Sequence, residues 1–83
     1  MKVMIHTTPI PDVKIITVKR FPDERGYFVE TYNQEEFKAC GISISFVQDN
    51  ESYSGKKGTV RGLHYQISPY PQDKLVRVIR GSI

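Results

Sequence analysis

Residues 59–80 read Thr59-Val60-Arg61-Gly62-Leu63-His64-Tyr65-Gln66-Ile67-Ser68-Pro69-Tyr70-Pro71-Gln72-Asp73-Lys74-Leu75-Val76-Arg77-Val78-Ile79-Arg80. Thr59 to Ile67 and Lys74 to Arg80 are rich in β-branched, aromatic and apolar residues. Such residues fit a pleated, half-buried surface. Between them lies Ser68-Pro69-Tyr70-Pro71-Gln72-Asp73. Proline cannot donate to a ladder, so this stretch reads as a loop. In the second run Leu75, Arg77 and Ile79 alternate with Val76 and Val78, and Gly81 ends it. Strand, proline loop, strand is the pattern of an all-β chain.

The same pattern extends toward the N-terminus. Ser54-Gly55-Lys56-Lys57-Gly58 is a turn, and Ser45 to Tyr53 before it is a strand candidate. Tyr27 to Tyr32 is aromatic and β-branched, with Glu30 inserted. Phe21-Pro22-Asp23-Glu24-Arg25-Gly26 reads as a polar loop closed by glycine. Val13 to Val18 is β-branched apart from Lys14 and follows the turn-rich Pro9-Ile10-Pro11-Asp12. One segment differs. Asn33 is a good N-cap, Glu36 stands at the capping-box position, and Gly41 is placed to end a helix. A short helix is expected over residues 34–40. Short strands at this spacing predict a sandwich or barrel. No repeat or low-complexity linker divides residues 1–83, so a single domain is expected. Gly81-Ser82-Ile83 stops just past a turn, and a further strand is expected to follow.

The bulk properties limit the function classes. A domain of 83 residues buries only about 60% of its unfolded surface, or slightly more. Cys40 is the one cysteine, so no internal disulfide can compensate. Association with another chain, or membership of something larger, is the remaining source of stability. Net charge is +3, from 12 basic and 9 acidic residues scattered along the chain. Nucleic acid favours a basic stripe, so it is not an expected partner. A small anionic ligand needs only two or three cations. The N-terminus has no signal-peptide core, and nothing approaches a membrane span of roughly 20 apolar residues. A cytoplasmic protein is expected.

Several side chains could carry chemistry. Strand alternation alone leaves His64 open between a structural histidine bonded to a backbone carbonyl and a general base near its working pH. Gln48 and Asn50 are two apart and so share a face, which is either solvated or a polar pocket. Glu30 lies on the face of Phe28 and Tyr32, at the surface or in such a pocket. Arg61 and Lys74 sit at strand ends, where ligand contacts and plain solvated charges are both common. Alternation puts Arg61 and His64 on opposite faces. A bulge at Gly62 between them would rephase the strand and bring both into one cavity. Arg25, in the charged loop, is either locally paired or an anion clamp. Cys40 has no visible activator and reads as structural. Phosphate-binding glycine motifs are absent, and no Cys/His cluster has zinc-ligand spacing.

Four segments together resemble one family. Phe21-Pro22-Asp23-Glu24-Arg25-Gly26-Tyr27-Phe28-Val29-Glu30 is similar to the D-x-R-G-F-F-x-E segment of dTDP-4-dehydrorhamnose 3,5-epimerases. Phe46-Val47-Gln48-Asp49-Asn50-Glu51-Ser52 resembles their F-V-Q-D-N-x-S strand. Arg61-Gly62-Leu63-His64-Tyr65-Gln66 and Lys74-Leu75-Val76-Arg77-Val78 resemble their R-G-L-H-Y-Q and K-L-V-R-V runs. The resemblance implies a cupin-like jelly roll, of which this chain is an incomplete N-terminal portion with one short helix. It implies a homodimer without cofactor or metal, acting on a dTDP-linked 4-keto-6-deoxy sugar in the supply of rhamnose for surface polysaccharide. By the same resemblance His64 is the base, Lys74 stabilises the enolate, and Arg25 and Arg61 hold the diphosphate or sugar. Glu30, Gln48 and Asn50 bind nucleotide or sugar, and Phe21 packs on the base. The Arg25–Glu30 group is implied to serve a neighbouring subunit's site.

In the family, a tyrosine acid and an aspartate partner of the histidine complete the site, and the resemblance places both beyond Ile83. Little or no turnover is then expected from these residues alone. Two other readings stay open: a non-catalytic sugar-nucleotide-binding or assembly module, and an epimerase acting at a single carbon.

Overall fold

Val3-Met4-Ile5-His6-Thr7 forms strand β1 (Val3–Thr7), which pairs antiparallel with β2 (Lys14–Val18). The register sets Val3 opposite Val18, Ile5 opposite Ile16 and Thr7 opposite Lys14. The computed structural model describes residues 2–83. The bend between these strands is tied by Thr8. Its Oγ1 accepts from Ile10 N at 3.2 Å and lies 2.8 Å from the Val13 carbonyl, to which it can donate. Val13 N donates to Ile10 O at 3.0 Å. Pro9 and Pro11 therefore lose no bond that the bend requires.

The second ribbon corrects one sequence expectation. Arg20–Asp23 is strand β3, not part of a loop, and pairs antiparallel with β4 (Gly26–Val29). Phe21 faces Phe28 and Pro22 faces Tyr27 across the pair. Charged neighbours and a proline hide this strand in the sequence. Proline is nonetheless tolerated in a two-stranded ribbon, where each strand has an outer side whose N–H groups need no strand partner. Gly26 closes the turn at φ +137°, a backbone region that favours glycine.

Helix α1 (Gln34–Ala39) forms where its caps predict. Asn33 Oδ1 accepts from Glu36 N at 3.0 Å. At the other end Gly41 has φ +95°, Ile42 N donates to Phe37 O at 2.9 Å, and Gly41 N donates to Lys38 O at 3.0 Å. These two bonds are those of a Schellman motif. The Glu36 side chain turns to Lys2, with Nζ 3.7 Å from Oε1.

The core of this first compact unit, which runs to Val47, is small. Among the described residues Val3 and Phe37 are the buried hydrophobics, at 5% and 1% exposure. Tyr32 sets its ring edge-on to both Phe37 (4.9 Å) and Phe46 (5.5 Å). Ile42, Ile44 and Phe46 are half-buried, while Ser43 and Ser45 between them are exposed. That is strand alternation without a ladder.

Residues 48–83 form a second unit. Every residue in it is exposed, and none lies in a strand or helix. The turns fall where the sequence places them: Thr59 N donates to Lys56 O at 3.2 Å, and Tyr70 N to Ile67 O at 2.9 Å. The three strands expected over residues 45–53, 59–67 and 74–80 are not present as ladders. Their composition suits strands, but a strand exists only when its N–H and C=O groups meet a neighbour. Among the described residues the two ribbons are the whole of the sheet structure, and no closed jelly roll is present. The architecture is mostly β with one short helix. No helix is long and apolar enough to cross a membrane among the described residues.

Candidate functional site

The β3–β4 hairpin carries the first group of candidates. Cross-strand pairing puts Phe21 and Phe28 on one face. Arg20 and Tyr27 share the other face, with the guanidinium carbon 4.4 Å from the ring centre. Lys19 Nζ stands 5.3 Å from the centre of the Phe21 ring. Arg25, in the turn, is bound by Asp23. Arg25 N donates to Oδ1 at 2.8 Å, and Nη2 donates to Oδ2 at 2.6 Å. The Arg25 guanidinium first, and its backbone N–H second, hold the Asp23 carboxyl below its ordinary range. Asp23 in turn raises the pKa of Arg25. Asp23, Arg25, Tyr27 and Phe28 line an open pocket of about 330 Å³.

Glu30 follows β4 directly and is half-buried. Its Oε1 is buried with no hydrogen-bond partner among the described residues. A buried carboxylate oxygen in that condition is costly unless a donor reaches it. Of the two positions the sequence allowed for Glu30, this oxygen takes the one withdrawn from solvent.

The second unit carries the other group. Gln48 Nε2 reaches Asn50 Oδ1 at 3.5 Å, so the two amides do lie together. Arg61 is held at two points: Nε donates to Ser54 Oγ at 2.8 Å and Nη2 to Tyr53 O at 2.9 Å. His64 and Lys74 are exposed. No hydrogen bond or ion pair joins His64, Lys74 and Arg61 to one another among the described residues. Gly62 has φ +111°, and a Cβ added there would lie 3.2 Å from His64 N. The bulge expected at Gly62 does not form, because a bulge needs a paired strand and residues 59–67 have no partner strand.

The local pairing that the charged loop allowed for Arg25 forms with Asp23, a carboxylate two residues before it in the turn. Ser54 is the residue that sequence reasoning passed over. It had no such local signal, because its partner is seven residues away across a turn.

Similarity to known proteins bears on this geometry. The pattern of the family described as dTDP-4-dehydrorhamnose 3,5-epimerase matches residues 7–83. The chain belongs to this epimerase family. A dTDP-4-dehydrorhamnose 3,5-epimerase of Shigella flexneri is 54% identical over 77 residues, covering 92% of this chain and 42% of the relative. One from Methanothermobacter thermautotrophicus is 51% identical over 76 residues, covering 92% of this chain and 40% of the relative. A dTDP-4-dehydrorhamnose 3-epimerase of Streptomyces niveus is 36% identical over 69 residues, covering 82% of this chain and 33% of the relative. The chain thus spans 42% of the first of these relatives and less of the others. All the candidate site residues fall inside the stretch that matches the family.

Proposed function

We propose that residues 1–83 form the N-terminal portion of a single jelly-roll domain and supply one wall of the sugar-nucleotide site of a 3,5-epimerase. The observation that carries this reading is the family match over residues 7–83, which includes the arginine, histidine and lysine segments in order. The substrate is dTDP-4-dehydro-6-deoxy-glucose, whose 4-keto group acidifies the protons on carbons 3 and 5. His64 takes such a proton as general base. The electron pair moves onto the keto oxygen, and Lys74 offsets the charge that develops there. Arg25 and Arg61 hold the diphosphate or sugar as guanidinium donors. Glu30, Gln48 and Asn50 bind nucleotide or sugar, and Phe21 packs on the base. Inversion then needs a proton delivered to the opposite face, the role of the family's tyrosine. The working state is a cytoplasmic homodimer in which the Arg25–Glu30 group serves a neighbouring subunit.

A single-carbon epimerase is the second reading, favoured by the match to the 3-epimerase of Streptomyces niveus. Deuterium wash-in at carbons 3 and 5 tests both. His64-dependent exchange at both carbons is expected, and exchange at carbon 3 alone selects the second reading. Binding with an exchange rate unchanged in His64→Asn leaves a binding module. Absence of binding to any dTDP ligand rejects the functional reading for this chain.

A further inference from the structure

The loop from Tyr53 to Arg61 is built to present one guanidinium. Thr59 donates to Lys56 O twice, from its backbone N at 3.2 Å and from Oγ1 at 2.6 Å. Gly58 turns the chain at φ +83°. This closed turn brings Arg61 back to the start of the loop, where Ser54 Oγ and Tyr53 O take its Nε and Nη2 protons at 2.8 and 2.9 Å. The Tyr53 ring lies against Gly55, where an added Cβ would stand 3.0 Å from Cε1 and 3.3 Å from the phenol oxygen. A side chain at position 55 would press on that ring, which would have to shift by a few tenths of an ångström. Both bonds engage the guanidinium on its Nε side. The Nη1 protons and the remaining Nη2 proton stay available, and together they form an edge suited to bidentate bonding of a phosphate.

We infer that Ser54 is a positioning residue for Arg61, fixing the guanidinium so that its Nη edge meets a diphosphate. An arginine side chain free in solution loses rotamer entropy on gripping an anion. A hydroxyl that already orders the fork removes part of that cost before the ligand arrives. Ser54 itself touches no ligand in this arrangement. The inference rests on the reading of Arg61 as a contact to the sugar nucleotide.

Two readouts on the full chain test it. The first needs no ligand: the Arg61 Nε–H signal in a nitrogen–proton correlation spectrum. It is expected to show slowed exchange with solvent, to lose that protection in Ser54→Ala and to regain it in Ser54→Thr. The second is the affinity for dTDP. Ser54→Ala is expected to weaken it roughly three- to tenfold, the usual range for one orienting hydrogen bond. Ser54→Thr restores it, and Ser54→Ala adds nothing further in an Arg61→Gln background. An Nε–H signal indifferent to Ser54 overturns the inference, as does additive loss in the double variant. If Arg61→Gln weakens dTDP binding while Ser54→Ala does not, the inference fails and the functional reading stands. If the unaltered chain binds no dTDP, the functional reading fails, and the Nε–H signal still decides whether Ser54 holds Arg61.

Discussion

Arg25 Nη2 lies 2.6 Å from Asp23 Oδ2, so the anion-clamp candidate of the hairpin already carries an intramolecular carboxylate. The pair is at the surface, where such contacts add little stability, but its titration is predictable. The Asp23 carboxyl is held below its ordinary value of 3.8. A lowered pKa in the folded chain means that the contribution is present above the unfolded value and is lost as pH falls through the lowered one. Acid titration followed at the Gly26 amide should show a midpoint below the ordinary aspartate range. Arg25→Gln should move that midpoint upward without restoring it fully, because the backbone N–H of residue 25 still donates to Asp23, and an unchanged midpoint in that variant would show the side-chain pair to be absent in solution.

Phe37 is the most deeply buried large side chain of the first unit, and Tyr32 packs edge-on to it. Phe37→Ala is expected to cost about 3–5 kcal/mol, the range for truncating a buried aromatic residue. A core centred on Val3 and Phe37 has little reserve. Helical circular dichroism and the dispersion of amide signals from residues 2–47 should both collapse. Retention of both would mean that the ribbons and helix are held by something other than this contact.

Gly41→Ala tests the helix end by itself. At φ +95° an added Cβ has open space around it, so its cost is that of backbone conformation alone. A loss of about 1 kcal/mol is expected, measured by urea unfolding of the first unit. Asn33→Ala, which removes the acceptor for Glu36 N, should cost about as much.

Gly62→Ala is expected to act on His64. The added methyl meets His64 N at 3.2 Å and Nδ1 at 3.6 Å, and the backbone at φ +111° resists any side chain. His64-dependent deuterium exchange should fall by on the order of tenfold, while the signals of residues 2–47 stay in place. An exchange rate equal to that of the unaltered chain would show that the setting of His64 does not depend on Gly62.

The two units should differ in hydrogen exchange and proteolysis. Residues 48–83 have neither ladder nor buried side chain, with Leu63 at 103% exposure. Apart from the turn amides of Thr59 and Tyr70, their amides should exchange rapidly, and trypsin should cut first within residues 48–83. The amides of β1 and β2 should be protected longer. Equal protection across the chain would contradict the division.

The legible features were those that a residue shares with its near neighbours. Asn33 capping Glu36, Gly41 ending α1, β2 after its proline-rich bend, and the turns at 56–59 and 67–70 each depend on contacts within a few residues, and composition is enough to find them. Family membership was legible for a related reason, since four ordered segments survive in the linear text whatever they pair with. Pairing itself was not written there. β3 was hidden by Pro22 and its charged neighbours until β4 lay beside it, and residues 59–67 and 74–80 had strand composition without a strand to bond. Arg61 gave no hint of Ser54, because that contact exists only once the Lys56–Thr59 turn folds the chain back. A ladder or a held guanidinium is a relation between distant positions. Its energy depends on which groups meet in space, and the order of residues along the chain constrains that only weakly.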